Sequence, residues 1–375
     1  LTGFMLIGVI PTLAVAGMGE QERRLRALEA KAGAESELLK ILQRFTWNGD
    51  LRLRYQNQEV DSSSNTLDRD RFRLRFRLGA TVHMAKDLDI GFRLETGDTG
   101  TSSSTSGNQT FDNGFSRKAF DLGRAYAKWT PGQFTFEGGK FGVPFMKSSM
   151  LWDSDVNVEG LSQQYSRKMG DTELRLVLGQ FVIEELSSAE DVILYAYQGI
   201  IGQDTPFGKF TGAVAFYDYA NHEDPSTITD TGSGNNNNLS EVKVLDIMAK
   251  WSEKVYGRKL TVFGEYAENT GTLAPGQPDL DTAWDAGFKY GKAGKKFGDW
   301  AFGLNYRVVQ AEAVFEPLAD SDTNLGSNGF RGYKAYGYLG LKKGVKLKMS
   351  YYDTQAERGA KNDIDVFQTD LIFKF

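Results

Sequence analysis

Polar and apolar residues alternate most clearly between residues 69 and 82. Arginines occupy the odd-numbered positions and apolar residues the even-numbered ones, in the order Arg71, Phe72, Arg73, Leu74, Arg75, Phe76, Arg77 and Leu78. Successive side chains of a β-strand point to opposite faces, so this period of two predicts a strand with one basic and one apolar face. A strand of a soluble sandwich alternates in the same way, so this segment alone does not decide the class of protein.

The same period recurs along the rest of the chain. We predict strands at 47–58, 69–83, 87–97, 119–129, 133–141, 157–167, 172–182, 191–201, 208–219, 241–253, 259–269, 282–291, 298–310, 331–342, 345–354 and 363–375. About sixteen antiparallel strands, an even number, are typical of outer-membrane barrels, in which only every second residue of a strand meets lipid.

The connections between these strands alternate in length. Short turns are predicted at 84–86, 130–132, 168–171, 254–257 and 343–344, and long polar loops at 98–118, 220–240 and 311–330. Outer-membrane barrels sort their connections in this way, with short turns on the periplasmic side and long loops outside. The predicted fold class is therefore all-β, a transmembrane antiparallel β-barrel of about 16 strands that occupies residues 47–375.

Aromatic residues support this arrangement. Trp129, Trp251 and Trp300 fall within a few residues of predicted short turns, and indole rings prefer the membrane interface. The last predicted strand ends in Phe375, and a terminal aromatic on an alternating strand is characteristic of barrels that the outer-membrane assembly machinery inserts. We therefore expect outer-membrane lipid and that machinery as partners.

The N-terminus has the features of an export signal. An apolar stretch at 4–15 leads to Ala14-Val15-Ala16, an A-x-A pattern that predicts cleavage after Ala16. Residues 1–16 are thus interpreted as a signal-peptide remnant that directs export across the inner membrane, and with the predicted barrel this indicates a location in the bacterial outer membrane. A buried N-terminal helix is the alternative.

A helical segment is predicted between the signal and the barrel, within residues 17–46. Its apolar residues have the a and d spacing of a heptad repeat, namely Leu25, Leu28, Ala32, Leu39 and Leu42. A coiled coil this short gains stability by association, which motivates a homotrimer hypothesis. A single solvated periplasmic helix is the alternative.

Composition excludes several kinds of site. The chain has no cysteine, which removes disulfides, thiolate metal sites, covalent haem attachment and cysteine nucleophiles. Its net charge of −5 is too small to indicate a nucleic-acid partner. Beyond the N-terminus no run of about 18 apolar residues could cross a bilayer as a helix. We expect neither a cofactor nor a metal.

Five segments resemble the putative porin family of Gram-negative outer-membrane β-barrels, and more distantly the phosphate-type and general diffusion porins. They are RFRLRFRLGATV (71–82), GFRLETGD (91–98), FDLGRAYAKW (120–129), GGKFGVPF (138–145) and LWDSDVNVEGLSQQYS (151–166). The resemblance extends over residues 47–375. It implies a pore for small hydrophilic solutes or ions without specifying the solute, and many such porins also have a coiled coil ahead of the barrel.

Seven arginines would face the barrel interior if the apolar residues of the alternating strands face lipid. This basic wall comprises Arg52, Arg54, Arg71, Arg73, Arg75, Arg77 and Arg93. Guanidinium groups this close would repel one another in a dry core, so the geometry favours a hydrated channel. The wall would then create an anion-attracting field and a weak anion preference. Alternatively, the arginines pair with carboxylates such as Glu95 and only brace the barrel.

The connection at 142–156 lies where many sixteen-stranded porins fold a loop inward. Pro144, Phe145 and Trp152 could anchor it, and Lys147, Asp153 and Asp155 are the candidate constriction charges. An ordinary packed surface loop is the alternative.

The sequence leaves two other function classes open. An outer-membrane hydrolase would need a general base, but His83 lies at a strand end and His222 in a long loop where a solvated side chain is expected. A conduit barrel that sheaths a partner protein is the second alternative. A calcium role for Asp320 and Asp322 lacks a recognisable ligand spacing.

Overall fold

The N-terminal segment ahead of the barrel is helical where it is described. The computed structural model of the chain describes residues 19–29, 31, 40, 42–63, 66–97, 104–112, 114–222, 241–273, 276 and 278–375. Residues 19–29 form a helix whose Leu25 and Leu28 are exposed. Among the described residues, no helix has the length and apolar character needed to cross a membrane. The predicted signal remnant, together with Ala32 and Leu39, lies outside the described residues, so the coiled coil and the trimer stay predictions.

Sixteen long strands and one two-residue strand follow. The first nine are β1 Phe45–Ser62, β2 Thr66–Ala85, β3 Leu88–Gly97, β4 Gln109–Thr110, β5 Ala119–Trp129, β6 Phe134–Gly142, β7 Asn157–Met169, β8 Thr172–Glu184 and β9 Val192–Thr205. The others are β10 Gly208–Ala220, β11 Lys243–Val255, β12 Arg258–Asn269, β13 Thr282–Gly291, β14 Trp300–Val309, β15 Phe330–Lys342, β16 Val345–Ala356 and β17 Asn362–Lys374. Each predicted strand is present, and most boundaries agree within a few residues.

The strands close into one antiparallel barrel. Each long strand pairs with its neighbours in sequence, and β1 pairs with β17 from Asp50↔Lys374 to Ser62↔Asn362. The short strand β4 pairs with β2 beyond the point where the β2–β3 pairing stops, so it extends the position of β3. The barrel therefore has sixteen strand positions, which confirms the predicted number.

Antiparallel pairing sorts the connections to two ends. The short-turn end, next to the start of β1, carries the connections at 86–87, 130–133, 170–171, 206–207, 256–257, 292–299 and 343–344. The long-loop end carries those at 63–65, 98–118, 143–156, 185–191, 221–242, 270–281, 310–329 and 357–361. The predicted asymmetry is confirmed, although the predicted loops at 98–118 and 220–240 lie partly outside the described residues.

The two faces of the sheet have opposite character. Large apolar side chains are exposed on the outer face, for example Phe72 at 59 % and Val214 at 53 %. Polar side chains are buried on the inner face, for example Arg54 at 2 % and Gln368 at 1 %. This distribution is the reverse of that in a soluble barrel, whose apolar face is directed inward.

Two long connections fold into the barrel interior. Inner loop 1, residues 143–156, inserts Phe145 and Trp152 against the inner face of β8–β10. The ring of Phe145 lies 6.1 Å from that of Phe181 and 5.5 Å from that of Tyr217, and Trp152 lies 5.6 Å from Tyr217. These aromatic contacts attach the loop to one side of the barrel.

Inner loop 2, residues 310–329, contains two 3₁₀ turns, Glu316–Leu318 and Thr323–Gly326. Its Phe315 stacks on Tyr219 at 4.4 Å between ring centroids, and Val314 is fully buried. The sequence indicated only a long polar connection here. The structure adds that the acidic residues of the loop meet cationic side chains on the barrel wall.

Candidate functional site

The barrel brings all seven predicted arginines onto one stretch of its inner face. Arg52 and Arg54 lie on β1, Arg93 lies on β3, and the other four lie on β2. The β1–β2 register sets Arg52 opposite Arg75 and Arg54 opposite Arg73. Residues opposite each other in an antiparallel pair are near neighbours, so the guanidinium groups form one continuous basic surface, which we call the arginine wall.

Arg54 is held by two carboxylates from distant parts of the chain. Its Nε and Nη2 donate to Asp370 of β17 at 2.7 and 3.1 Å, and its Nη1 donates to Asp322 of inner loop 2 at 2.9 Å. Burial alone would raise the pKa of Asp322, but Arg54 and then Arg52 outweigh it and hold that pKa well below its usual range. The contact fixes inner loop 2 to the arginine wall.

Asp155 of inner loop 1 occupies the next position along the wall. It accepts hydrogen bonds from Arg75 at 2.9 Å and from Arg77, and Arg75 also pairs with Asp50 at 2.8 Å. Burial alone would raise the pKa of Asp155, but the guanidinium groups of Arg75 and Arg77 hold it well below its usual range. Inner loop 1 therefore spans the interior from the aromatic anchor to the arginine wall.

Three arginines have no carboxylate within 4.0 Å among the residues that the structure describes. Their partners are amide oxygens, with Arg52 on Asn108 at 2.5 Å, Arg71 on Gln58 at 3.0 Å and Arg73 on Gln56 at 3.4 Å. By contrast, Arg93 pairs with Glu95 at 2.8 Å. The wall thus contains four arginines paired with carboxylates, which brace the structure, and three whose hydrogen-bond partners among the described residues are neutral amides.

Asp153 joins the two inner loops. Its carboxylate accepts hydrogen bonds from the Ser321 backbone N–H at 3.0 Å and from the Ser321 hydroxyl at 3.1 Å. Lys147 donates to the Asp153 backbone carbonyl at 3.0 Å. Burial, assisted by the nearby charges of Asp320 and Asp155, raises the pKa of Asp153 to about 7. The three predicted constriction residues are therefore all on the inward-folded loop, with Asp153 facing inner loop 2.

Arg307 is a structural residue that the sequence analysis did not identify. It pairs with Asp285 of β13 at 2.7 Å, and both side chains are almost fully buried. Its Nη2 also donates to the Ser149 hydroxyl at 2.7 Å and its Nη1 to the Ser149 carbonyl at 3.3 Å. The pair therefore holds inner loop 1 against the side of the barrel opposite the arginine wall.

The acidic residues of inner loop 2 act as ion-pair partners. Asp320 forms an ion pair with Lys334 at 3.2 Å, and Asp322 forms one with Arg54. A group of three or more metal-ligating side chains is not found in the described part of the chain. The calcium hypothesis for Asp320 and Asp322 has no geometric support. The ion-pair partners of these two aspartates lie on β15 and β1, far apart in the chain, so the sequence gives no signal of this role.

Both histidines contact neighbouring side chains of the barrel or its loops. His83 contacts Asp89 at 2.7 Å and Thr46 at 3.0 Å at the short-turn end, as its strand-end position predicted. His222 is fully buried with its ring 5.1 Å from that of Phe315, so the expectation of a solvated loop side chain was wrong. Burial lowers the pKa of His222 to about 4. The apolar insertion of inner loop 2 explains this burial.

The predicted interface aromatics all lie at the short-turn end of the outer face. The Trp129 indole donates to Asp87 at 3.1 Å, and that of Trp251 donates to the Phe207 carbonyl at 2.8 Å. The guanidinium of Arg258 lies 4.2 Å above the Trp300 ring. The exposed Phe375 is the fourth member, 6.3 Å from the Phe76 ring. The rings thus mark one level around the barrel.

Comparison with solved structures supports the fold. OprB of Pseudomonas putida at high pH superposes with a TM-score of 0.59 at 12 % identity, covering 92 % of this chain and 97 % of that one. A loop L8 deletion mutant of OmpT, an outer membrane protein of Vibrio cholerae, gives a TM-score of 0.51 at 9 % identity, covering 88 % and 99 %. At such identities the similarity concerns the fold alone.

Comparison with sequences is more specific. No curated protein matches the chain. A family model described as "Putative porin" matches residues 61–250 and 240–375, which is most of the barrel. Together with β1, these residues form the closed sixteen-position sheet with the polar interior described above. The chain therefore belongs to this family of porins.

Proposed function

We propose that the chain forms a water-filled outer-membrane pore for the passive, weakly selective diffusion of small hydrophilic solutes and ions. The observation that carries this proposal is the closed barrel with an apolar outer face and charged residues on its inner face. A closed sheet leaves no unpaired edge in the lipid, and a polar lumen can hold water. Membership in the porin family supports the same conclusion.

The orientation follows from the two ends of the barrel. In this proposal the short turns and the aromatic level of Trp129, Trp251, Trp300 and Phe375 lie at the periplasmic interface, where such rings are favoured. Residues 1–16 are the remnant of a cleaved signal, residues 17–46 form a periplasmic coiled coil, and the assembly is a homotrimer. The C-terminal strand is the segment that the barrel assembly machinery recognises.

The two inner loops form the constriction in this proposal. Inner loop 1 reaches the arginine wall through Asp155, inner loop 2 reaches it through Asp322, and Asp153 joins the loops. Ions would pass beside Arg52, Arg71 and Arg73, which favours weak anion preference. The loops occupy the lumen that a sheathed partner protein would need, and this favours a pore over a conduit barrel.

Single-channel recording tests the proposal. Protein refolded into detergent and added to a planar bilayer should give stepwise, ohmic conductance, because the lumen remains hydrated beside the loops. An Arg331→Leu variant, altered on the exposed outer face of β15, serves as a folding-competent control with unchanged conductance. Absence of channels from correctly folded protein would refute the pore, as would refolding to a stable monomer in buffer without detergent or lipid.

The contact of Asp153 with inner loop 2 predicts open-channel noise that depends on pH. The pKa of this buried carboxyl is raised to about 7. The protonated Asp153 therefore stabilises the fold fully below the pKa that an aspartate has in the unfolded chain, and this stabilisation is lost as the pH rises through about 7. Ionisation there adds a third charge beside Asp155 and Asp320, with Lys147 as the nearest cation on its own loop. We expect open-channel noise to increase between about pH 6 and 8 as the loops separate.

An Asp153→Asn variant should make this noise independent of pH, since it keeps the hydrogen-bond acceptor and removes the titration. Asp112→Asn, at an exposed carboxylate paired with Lys118, is the matched control and should behave like the unmodified protein. A pH profile that is the same with and without Asp153 would contradict the assignment.

A further inference from the structure

A cavity of about 340 Å³ lies in the barrel interior below inner loop 1. Met146, Ser148 and Ser149 of that loop form one side, and residues of β11–β16 form the other. A cavity of about 150 Å³ already accepts benzene in a protein core, so this one has room for a substituted ring and several waters.

Lysines on separate strands converge on this cavity. Lys250, Lys289 and Lys348 line it, and Lys346 lies beside it. None of these ammonium groups has a carboxylate within 4.0 Å among the described residues, whereas Lys334, which also lines the cavity, pairs with Asp320 at 3.2 Å. Several uncompensated ammonium groups around one space need an anion or water to balance them.

The carboxyl groups of the cavity do not balance these lysines. Asp285 is occupied by Arg307 at 2.7 Å and by Asn305 at 2.8 Å. Glu265 also lines the cavity with both carboxyl oxygens buried, so the three lining lysines without an ion pair among the described residues outnumber this one carboxyl group. The charge that a ligand would meet in the cavity is therefore positive.

Tyrosine rings hold two of the lysines in place. The Nζ atoms of Lys289 and Lys346 lie 5.3 and 4.7 Å from the centroid of the same Tyr338 ring. Tyr336 packs edge-to-face on Tyr338 at 5.9 Å and lies against Gly303, where any side chain would collide with its ring. Cation–π contact and ring packing limit the motion of the ammonium groups, which lowers the entropy lost when they bind a ligand.

The opposite part of the cavity is apolar. Met146 packs on Met248 beside the ring of Phe263. A ligand that fills the space would therefore place an anionic group at Lys289 and Lys346 and a flat apolar body at Met248 and Phe263. Ligand pockets commonly combine an apolar surface with a few charged groups that fix the orientation.

We propose that this cavity is a binding site for small aromatic carboxylates that pass through the barrel. The proposal rests on the pore proposed above and specifies one class of solute for it. Two lysines would bind the carboxylate, and the methionines and Phe263 would contact the ring. A small inorganic anion would use only the lysines, so it should bind more weakly.

Benzoate is the probe, applied to single channels and, independently, to the refolded protein in detergent by isothermal titration calorimetry. We expect a saturable reduction of chloride conductance by benzoate, a much weaker effect of acetate or phosphate at the same ionic strength, and none of uncharged benzamide. Lys289→Gln with Lys346→Gln should raise the half-blocking concentration of benzoate roughly tenfold or more. Phe263→Leu should weaken the effect of benzoate and leave that of acetate unchanged.

Lys295→Gln with Lys343→Gln, two exposed lysines in short turns, removes the same charge and should leave benzoate binding unaltered. Channels that conduct but show neither benzoate binding nor block would overturn this inference and leave the pore intact. Equal block by acetate and benzoate would also overturn it, because the ring would then have no role. If the protein does not conduct, the pore is refuted, and calorimetry alone decides whether the cavity binds benzoate.

Discussion

Replacement of Arg307 by leucine is expected to lower the free energy of unfolding by about 3–5 kcal/mol, because the almost fully buried Asp285 then has no cationic partner. The contacts of Arg307 with Ser149 are lost as well, so inner loop 1 is released on that side. Guanidinium unfolding of the protein in lipid vesicles measures the loss, and single-channel noise reports the motion of the loop.

A double variant separates these two effects. Asp285→Asn combined with Arg307→Leu removes both charges of this pair and keeps an acceptor for Asn305, so most of the lost stability should return while the increased noise remains. Arg331→Leu, at an exposed position on the outer face, should change stability by no more than about 0.5 kcal/mol. A double variant as unstable as the single one would show that the unpaired carboxylate is not the cause.

Replacement of Arg52, Arg71 and Arg73 by glutamine is expected to remove the anion preference of the pore. Among the residues that the structure describes, these three arginines donate to amide oxygens, so we expect their charge to act on passing ions, while the other four are paired with carboxylates. A unit charge contributes about 1 kcal/mol to an ion about 4 Å away even in bulk water. We expect the ratio of anion to cation permeability to fall to about 1.

Reversal potentials in a salt gradient measure this ratio. The matched control replaces Lys86, Lys295 and Lys343, all exposed in short turns, by glutamine and so changes the net charge equally. If the control shifts the reversal potential as much as the wall variant, net charge and not the position of the arginines sets the selectivity. An unchanged ratio in the wall variant would mean that ions take a path away from the arginine wall.

The strands could be predicted from the sequence because their information is local. Alternation such as Arg71 to Leu78 fixes both the strand and the parity of its faces, and the observed β2 extends only a few residues beyond the predicted segment. The seven arginines follow from the same parity. The short turns and the terminal Phe375 supplied the direction of the barrel. Inner loop 1 was anticipated from its resemblance to other porins.

The interior could not be predicted in detail because its contacts join distant positions. Asp322 is polar in a polar loop, and only the closed barrel shows that it meets Arg54, 268 positions away. The burial of His222 depends on Phe315 in the same way. The lysine cavity needs the register of β11–β16, since each of its lysines is an unremarkable member of a separate alternating pattern.

The β1–β17 seam has a consequence for biosynthesis. Arg54 and Asp370, 316 positions apart, form a buried ion pair across this seam. This pair cannot form until the last strand is in place. Until then β1 and β16 both present open edges, which are prone to pair with other chains. Ribosomal synthesis delivers β17 last, so we expect these edges to stay open until the chain is complete and β17 pairs with β1.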